Sequence, residues 1–193
     1  DSILTNAASP YLLDARFNRA LALQALGTNA NLEEAREEYE RVIRETTDPL
    51  YIQQSLVQLA ELHFARGQYA RAAERARELL EGYADSDFCD EAHMRLALSL
   101  QATGELDGAV RSFLAIAEDS PYFSSARLGC GHAYLNQKRY TAAVDALEAG
   151  LQQADEERKA AFHYLLGQAH GGLQLYSRAI AHYTTALDYP LDG

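Results

Sequence analysis

Residues 67–80, with the sequence GQYARAAERARELL, decide the fold of this chain. Ala72, Ala76 and Leu79 stand at positions i, i+4 and i+7, which is the spacing of one face of an α-helix. The glycine that opens the stretch indicates a turn immediately before that helix. The stretch therefore predicts a helix that follows a tight turn and buries a face of small and apolar side chains.

The same pattern occurs five times along the chain, with copies 34 to 37 residues apart. Its first column consists of Ala35, Ala72, Ala109, Ala143 and Ala179. One turn later the second column consists of Tyr39, Ala76, Phe113, Leu147 and Tyr183. A preceding helix has its own small residue in four copies, at Ala60, Ala97, Gly131 and Gly167, and we find none in the first copy. A near-constant period of this length is typical of repeat proteins built from one structural unit.

The unit resembles the tetratricopeptide repeat, and the resemblance covers residues 11–193. It implies an all-α fold, a right-handed superhelical solenoid of about five helix–turn–helix repeats. We expect a single domain over residues 1–193 that is part of a longer chain. Its units are predicted at approximately 11–49, 53–86, 90–123, 124–157 and 160–193.

Three repeats depart locally from the family pattern. Residues 27–31 predict a longer turn in the first repeat. Lys138 and Gln174 stand where a turn glycine is expected in the fourth and fifth repeats. The glycines at 171–172 predict a frayed helix end, because glycine is less favourable than alanine in a helix by about 1 kcal/mol.

Family members bind partners along a concave groove lined by the first helix of each repeat, so the resemblance implies a protein-binding groove here. Position by position, its lining is Gln54, Val57, Glu61, Phe64, Glu91, Met94, Leu98, Gln101, Ser125, Leu128, His132, Leu135, Ala161, Tyr164 and Gln168. Its apolar members are expected to form an exposed stripe of Val57, Met94, Leu128 and Tyr164. A contiguous exposed apolar stripe is typical of a contact site. We expect an amphipathic helix or an extended apolar peptide as the occupant.

The chain has no recognisable catalytic or cofactor-binding motif. HExxH, GxSxG, a phosphate-binding loop and a dinucleotide fingerprint are all absent from the sequence. The six histidines lack zinc-site spacing, and we interpret them as packing residues, with His63 and His170 in one interior column and His93 and His163 in another. We therefore predict that the protein is not an enzyme, with no catalytic residue, no metal and no cofactor.

The net charge of −11, from 28 acidic and 17 basic side chains, disfavours nucleic acid and anionic lipid as partners. No apolar stretch is long enough to span a membrane, and the N-terminus at Asp1 lacks the features of a signal peptide. The linkers at 81–92 and 118–126 resemble those of bacterial cell-envelope members, namely outer-membrane assembly lipoproteins and Tol-Pal accessory proteins. This resemblance favours the periplasm or cell envelope over the cytoplasm.

Three functions remain open at this point. The first is a scaffold that binds a partner peptide or helix in its groove, in bacterial cell-envelope assembly. The second is a regulatory or docking domain of a larger enzyme or signalling protein, which the Met-less start and the uncapped end favour. The third is a self-associating structural protein that pairs through its C-terminal helix, with Leu175, Tyr183 and Leu187 as candidate contacts.

Overall fold

The computed structural model describes residues 10–189, which consist of ten α-helices and short connections. The helices are α1 (Pro10–Leu26), α2 (Asn29–Glu45), α3 (Pro49–Ala65), α4 (Tyr69–Gly82), α5 (Cys89–Thr103), α6 (Leu106–Leu114), α7 (Phe123–Asn136), α8 (Tyr140–Leu151), α9 (Glu156–Gly172) and α10 (Tyr176–Leu187). The prediction of an all-α fold is confirmed. The predictions about the N-terminal segment 1–9 and about the chain end at 190–193 lie outside the described residues.

The helices form consecutive hairpins, and the chain divides into two compact units between Arg95 and Leu96, within α5. In the first unit α1 packs on α2, α3 packs on α4, and α2 packs on α3. In the second unit α7 packs on α8 and α9 on α10, while α6 contacts α7 and α8 contacts α9. Each hairpin is therefore covered by its neighbour along the chain within its unit. Among the described residues, no helix has the length and apolar character needed to span a membrane.

The turn inside every hairpin has the same left-handed backbone conformation. Its φ angle is 69° at Gly27, 70° at Gly67, 85° at Gly104, 58° at Lys138 and 61° at Gln174. For a residue with a side chain, this left-handed conformation is unfavourable by about 1–2 kcal/mol. Lys138 and Gln174 nevertheless keep the turn, because hydrogen bonds across it close the helix end, as in the 2.9 Å bond from the Arg139 N–H to the Tyr134 carbonyl.

The two residue columns predicted for the second helices form the core. All five members of the alanine column are buried. The next column is buried in the first four repeats, at Tyr39, Ala76, Phe113 and Leu147. Tyr183 in the fifth repeat is exposed, since α10 contacts α9 but is not covered by another helix among the described residues.

Glycines in the first helices allow their partner helices to approach closely. A Cβ atom on Gly131 would lie closer than 3.0 Å to side-chain atoms of Leu147, a separation that Cβ atoms essentially never show. A Cβ on Gly167 would lie 2.5 Å from Cε1 of Tyr183. The small-residue column predicted for the first helices is therefore a packing requirement of the hairpins.

The first repeat differs from its prediction in two linked ways. Ala20 is the small residue of α1, fully buried in the core of the first unit, although no such residue was expected there. The turn at 27–31 is not longer. Instead, Thr28 caps α2 by accepting a hydrogen bond from the Asn31 N–H at 3.2 Å, and α2 begins at Asn29. The residues that were predicted to lengthen the turn form the start of α2 instead. They shift α1 relative to the alignment of the other repeats.

The predicted fraying at 171–172 is wrong, because α9 continues through Gly172. A Cβ atom on Gly172 would lie closer than 3.0 Å to ring atoms of Tyr140 in α8. The missing side chain thus makes room for the tyrosine at the α8–α9 contact. This gain in packing accounts for a helical glycine at a position where propensity alone is unfavourable.

Candidate protein-interaction surface

In the first unit, the predicted groove residues on α3 and α5 are Gln54, Val57, Glu61, Phe64, Glu91 and Met94. The prediction that Val57 and Met94 are exposed is wrong, because they are only 5% and 8% exposed. Val57 and Leu59 project from opposite sides of α3 and both are buried, as α3 is packed against α1, α2 and α4. The predicted stripe is therefore not an exposed apolar surface in this unit.

The other groove residues of the first unit are partly exposed, and two of them, Glu61 and Phe64, are joined by one arginine that was not predicted. Arg95 forms an ion pair with Glu61, and its guanidinium lies 4.8 Å from the centre of the Phe64 ring. Burial raises the pKa of Glu91, and the nearby Arg95 partly opposes that effect. Arg95 is the single Lys or Arg in α3 and α5, and that isolation is the signal that could have identified it.

In the second unit, the predicted residues on α5, α7 and α9 are Leu98, Gln101, Ser125, Leu128, His132, Leu135, Ala161, Tyr164 and Gln168. All of them are partly or largely exposed. Helices α7 and α9 are in contact with each other. We call the set Leu128, His132, Leu135, Tyr164 and Gln168 the α7–α9 surface.

Polar contacts link the predicted residues of the second unit. The amide nitrogen of Gln101 lies 2.8 Å from Nδ1 of His132. The amide of Gln168 donates a hydrogen bond to the Tyr164 hydroxyl at 2.8 Å. The Tyr164 ring also lies 6.1 Å from the ring of Tyr183 on α10. The structure thus brings Gln101 of α5 to His132 of α7, and Gln168 to Tyr164 within α9.

Three histidines meet between α9 and α10. The Nδ1 atoms of His163 and His182 are 3.1 Å apart, and the rings of His170 and His182 are stacked with centroids 5.2 Å apart. His182 was not predicted to join them because it lies on the other helix of the hairpin. Within residues 10–189, no group of three His, Cys, Asp or Glu side chains is arranged to hold a metal ion.

Burial lowers the pKa of His163 and of His182 below the usual histidine value. Lys159 lowers the pKa of His163 further. The pKa of His182 is also lowered by the neighbouring histidines and Arg178, and Glu148 acts in the opposite direction. A charged imidazolium is therefore disfavoured inside this cluster.

We expect acid to destabilise the α9–α10 hairpin. A histidine whose pKa is lowered by folding binds its proton more readily in the unfolded chain. Its contribution to stability is complete above the unfolded pKa of about 6.5 and decreases as the pH falls below that value. Urea unfolding between about pH 8 and about pH 5 should show a smaller loss of stability for His182→Phe, which keeps an aromatic ring, than for the wild type. Equal pH dependence of the two proteins would refute the role of His182.

The cysteines are both free, and their contacts are structural. Cys130 is fully buried, and burial raises the pKa of its thiol to about 11, so it is not a thiolate at neutral pH. The thiol of Cys89 donates to the carbonyls of Tyr83 and Ala84 at 3.4 Å. Cys130 therefore packs as a small apolar residue, as its place in the column predicts.

Helix hairpins that stack through small-residue columns and expose a face of their first helices define a class of protein, the helical-repeat scaffold that holds other proteins. The protein-family model of the tetratricopeptide repeat-like domain matches residues 17–168 of this chain. The chain belongs to this family.

Solved structures of MamA proteins have the same fold. A crystal structure of MamA protein aligns with this chain with a TM-score of 0.80 at 16% sequence identity, and the alignment covers 94% of this chain and 93% of that chain. The MamA RS-1 ArsTM double mutant gives 0.79 at 19% identity, with 92% and 93% covered. MamA 41-end from Desulfovibrio magneticus RS-1 gives 0.77 at 20% identity, with 92% and 94% covered. These identities show a shared fold alone. A comparison with curated protein sequences gives no significant match.

Proposed function

We propose that this chain is a non-catalytic scaffold that binds a segment of a partner protein along the exposed faces of its first helices, principally the α7–α9 surface. The observation that carries the proposal is the exposure of Tyr164. This aromatic side chain is 51% exposed on the predicted face of α9 and is held by the amide of Gln168. An exposed, oriented tyrosine is a typical anchor of protein interfaces.

The chemistry of the α7–α9 surface favours an apolar or amphipathic occupant. Leu128 and Leu135 on α7 offer partly exposed apolar side chains, and Tyr164 on α9 offers an exposed ring. His132 and Gln168 add side chains that can form hydrogen bonds. An amphipathic helix or an extended peptide with apolar side chains fits this combination.

The compartment and process remain predictions from the linkers at 81–92 and 118–126, whose resemblance favours cell-envelope assembly. A docking domain of a larger enzyme or signalling protein would use the same surface. The reading frame of the full-length gene would distinguish a separate scaffold from such a domain.

The test is partner capture by the double variant Leu128→Arg/Tyr164→Arg. Two desolvated cations on this surface should weaken partner binding by at least about tenfold, or ~1.4 kcal/mol. Proteins captured by the wild type from the native lysate are identified by mass spectrometry, and their affinities are then measured with purified components. Leu114→Arg, at an exposed leucine on α6, is the matched control and should bind normally. Unchanged partner affinity of the double variant would contradict the proposal.

Self-association is a second candidate function, favoured by one observation. Large apolar side chains on α10, including Ile180 and Leu187, are exposed, whereas the matching side chains on α8 are covered by α9.

A further inference from the structure

Within residues 10–189, no helix covers the apolar stripe on the outer face of α10. Tyr176 is 64% exposed, Ile180 65% and Leu187 84%. These positions follow the spacing i, i+4 and i+11, so they lie along one side of the helix, whereas the Tyr183 ring packs on Gly167 of α9. Exposed apolar surface of this continuity is typical of a docking site.

Helix α8 carries the same stripe one repeat earlier. The matching residues are Tyr140, Val144 and Leu151, and each of them is partly buried. Helix α9 packs on α8 and accounts for this difference. The close approach of Tyr140 to Gly172 of α9 shows the contact directly.

Helix α9 also shows what kind of helix covers such a stripe. Its fully buried residues include Phe162, Leu166 and Ala169, at the spacing i, i+4 and i+7. Phe162 lies against Gly150 of α8, where a Cβ atom would overlap its ring. The occupant expected on α10 is therefore an α-helix with a face of small and apolar side chains.

Helix α1 presents a face of this kind. Leu12 is 44% exposed and Leu26 is 68% exposed, and Ala15 and Ala22 between them are exposed as well. Arg19 lies on the same side, where it forms ion pairs with the acidic residues Glu34 and Glu38 of α2. When the turn glycines of the first two repeats are aligned, Ala15 and Ala22 correspond to Ser55 and Leu62 of α3, which are buried.

We propose that the outer face of α10 in one copy of this protein packs on the outer face of α1 in a second copy, as α9 packs on α8 within the chain. The proposal rests on the second candidate function and not on the α7–α9 surface. The contact joins two different faces, so it is heterologous.

The test uses Ile180→Glu and Ala22→Glu, each of which places a charge on one of the two faces. Both positions are exposed, so both variants should keep their helical circular dichroism. Sedimentation equilibrium of the wild type, over a concentration series that reaches the millimolar range, should show masses above that of one chain. Each single variant should sediment as one chain at all concentrations.

The decisive sample is an equal mixture of the two variants. Each pair still has one unmodified α10 face and one unmodified α1 face, so the mixture should form dimers of one copy of each and nothing larger. Leu114→Glu and the Leu128→Arg/Tyr164→Arg variant should both assemble like the wild type, which separates this proposal from binding at the α7–α9 surface.

Three results would overturn the proposal. The first is a wild type that remains one chain throughout the series. The second is normal assembly of Ala22→Glu alongside loss of assembly in Ile180→Glu, which would indicate a symmetric α10–α10 contact. The third is a mixture that stays monomeric, which would show that the two faces do not complement each other.

Discussion

Replacing Gly131 with leucine should cost about 3 kcal/mol or more of unfolding free energy. A Cβ atom at this position would already overlap Cγ and Cδ2 of Leu147. Leu147 is fully buried, and close packing leaves it no space into which it could move. Urea unfolding followed by circular dichroism measures the loss.

Gly171→Ala is the matched control for this prediction. Gly171 also lies in a first helix, but a Cβ atom there would have nothing within 4 Å. Alanine should therefore stabilise α9, by up to about 1 kcal/mol, through its higher helix propensity. If the two variants unfolded at the same urea concentration, the packing explanation for the glycine column would be wrong.

Phe113→Ala should destabilise the protein by about 3–5 kcal/mol. The Phe113 side chain is fully buried, and its ring lies directly on the backbone of α7 at Gly129, where a Cβ atom would overlap it. Truncation leaves a cavity between α6 and α7 that the helices can only partly close. The neighbouring Leu114 is exposed, so Leu114→Ala should change stability by less than about 0.5 kcal/mol.

A double variant tests the direct contact of Phe113 with Gly129. Gly129→Leu alone should destabilise the protein through overlap with the ring. In Phe113→Ala/Gly129→Leu the new side chain enters the space that the ring has left, so the combined loss should be smaller than the sum of the single losses. Simple additivity would show that the two residues do not share that space.

The repeat register could be predicted because short spacings carry it. Ala72, Ala76 and Leu79 stand at helical intervals, and their counterparts in four other copies confirm the face that each second helix buries. Lys138 and Gln174 were correctly placed in the turn without glycine. The positive φ angles at these two residues show that the helix-ending hydrogen bonds impose the turn where the local residue disfavours it.

The first repeat shows the limit of alignment by period. Thr28 caps α2 early, and the extra residues become helix rather than turn. Ala20 therefore falls outside the register that the other repeats predict, although it is buried like them. A cap of this kind has a short sequence signature, but whether the residues after it form helix or loop depends on what they pack against.

A helical register predicts on which face of its helix each residue of the proposed groove lies, but it does not predict whether that residue is exposed. The register placed Leu128 and Tyr164 on neighbouring helices, and both are accessible. It placed Val57 and Met94 on the equivalent face, where both are buried. The number of neighbouring helices does not explain the difference, because α3, α7 and α9 each contact three other helices. What matters is which positions those neighbours cover, and a single repeat unit does not contain that information.

The sequence by itself determined the helices, the hairpin turns and the small-residue columns, because each depends on side chains a few residues apart along one helix or turn. Only the tertiary structure decided which first-helix residues reach the surface, that Arg95 joins Glu61 to Phe64, and that three histidines meet between α9 and α10. These features depend on contacts between helices distant in sequence. The physical reason is that a helical register sets the direction in which a side chain points, whereas its exposure and partners are set by the neighbouring helices that pack around it.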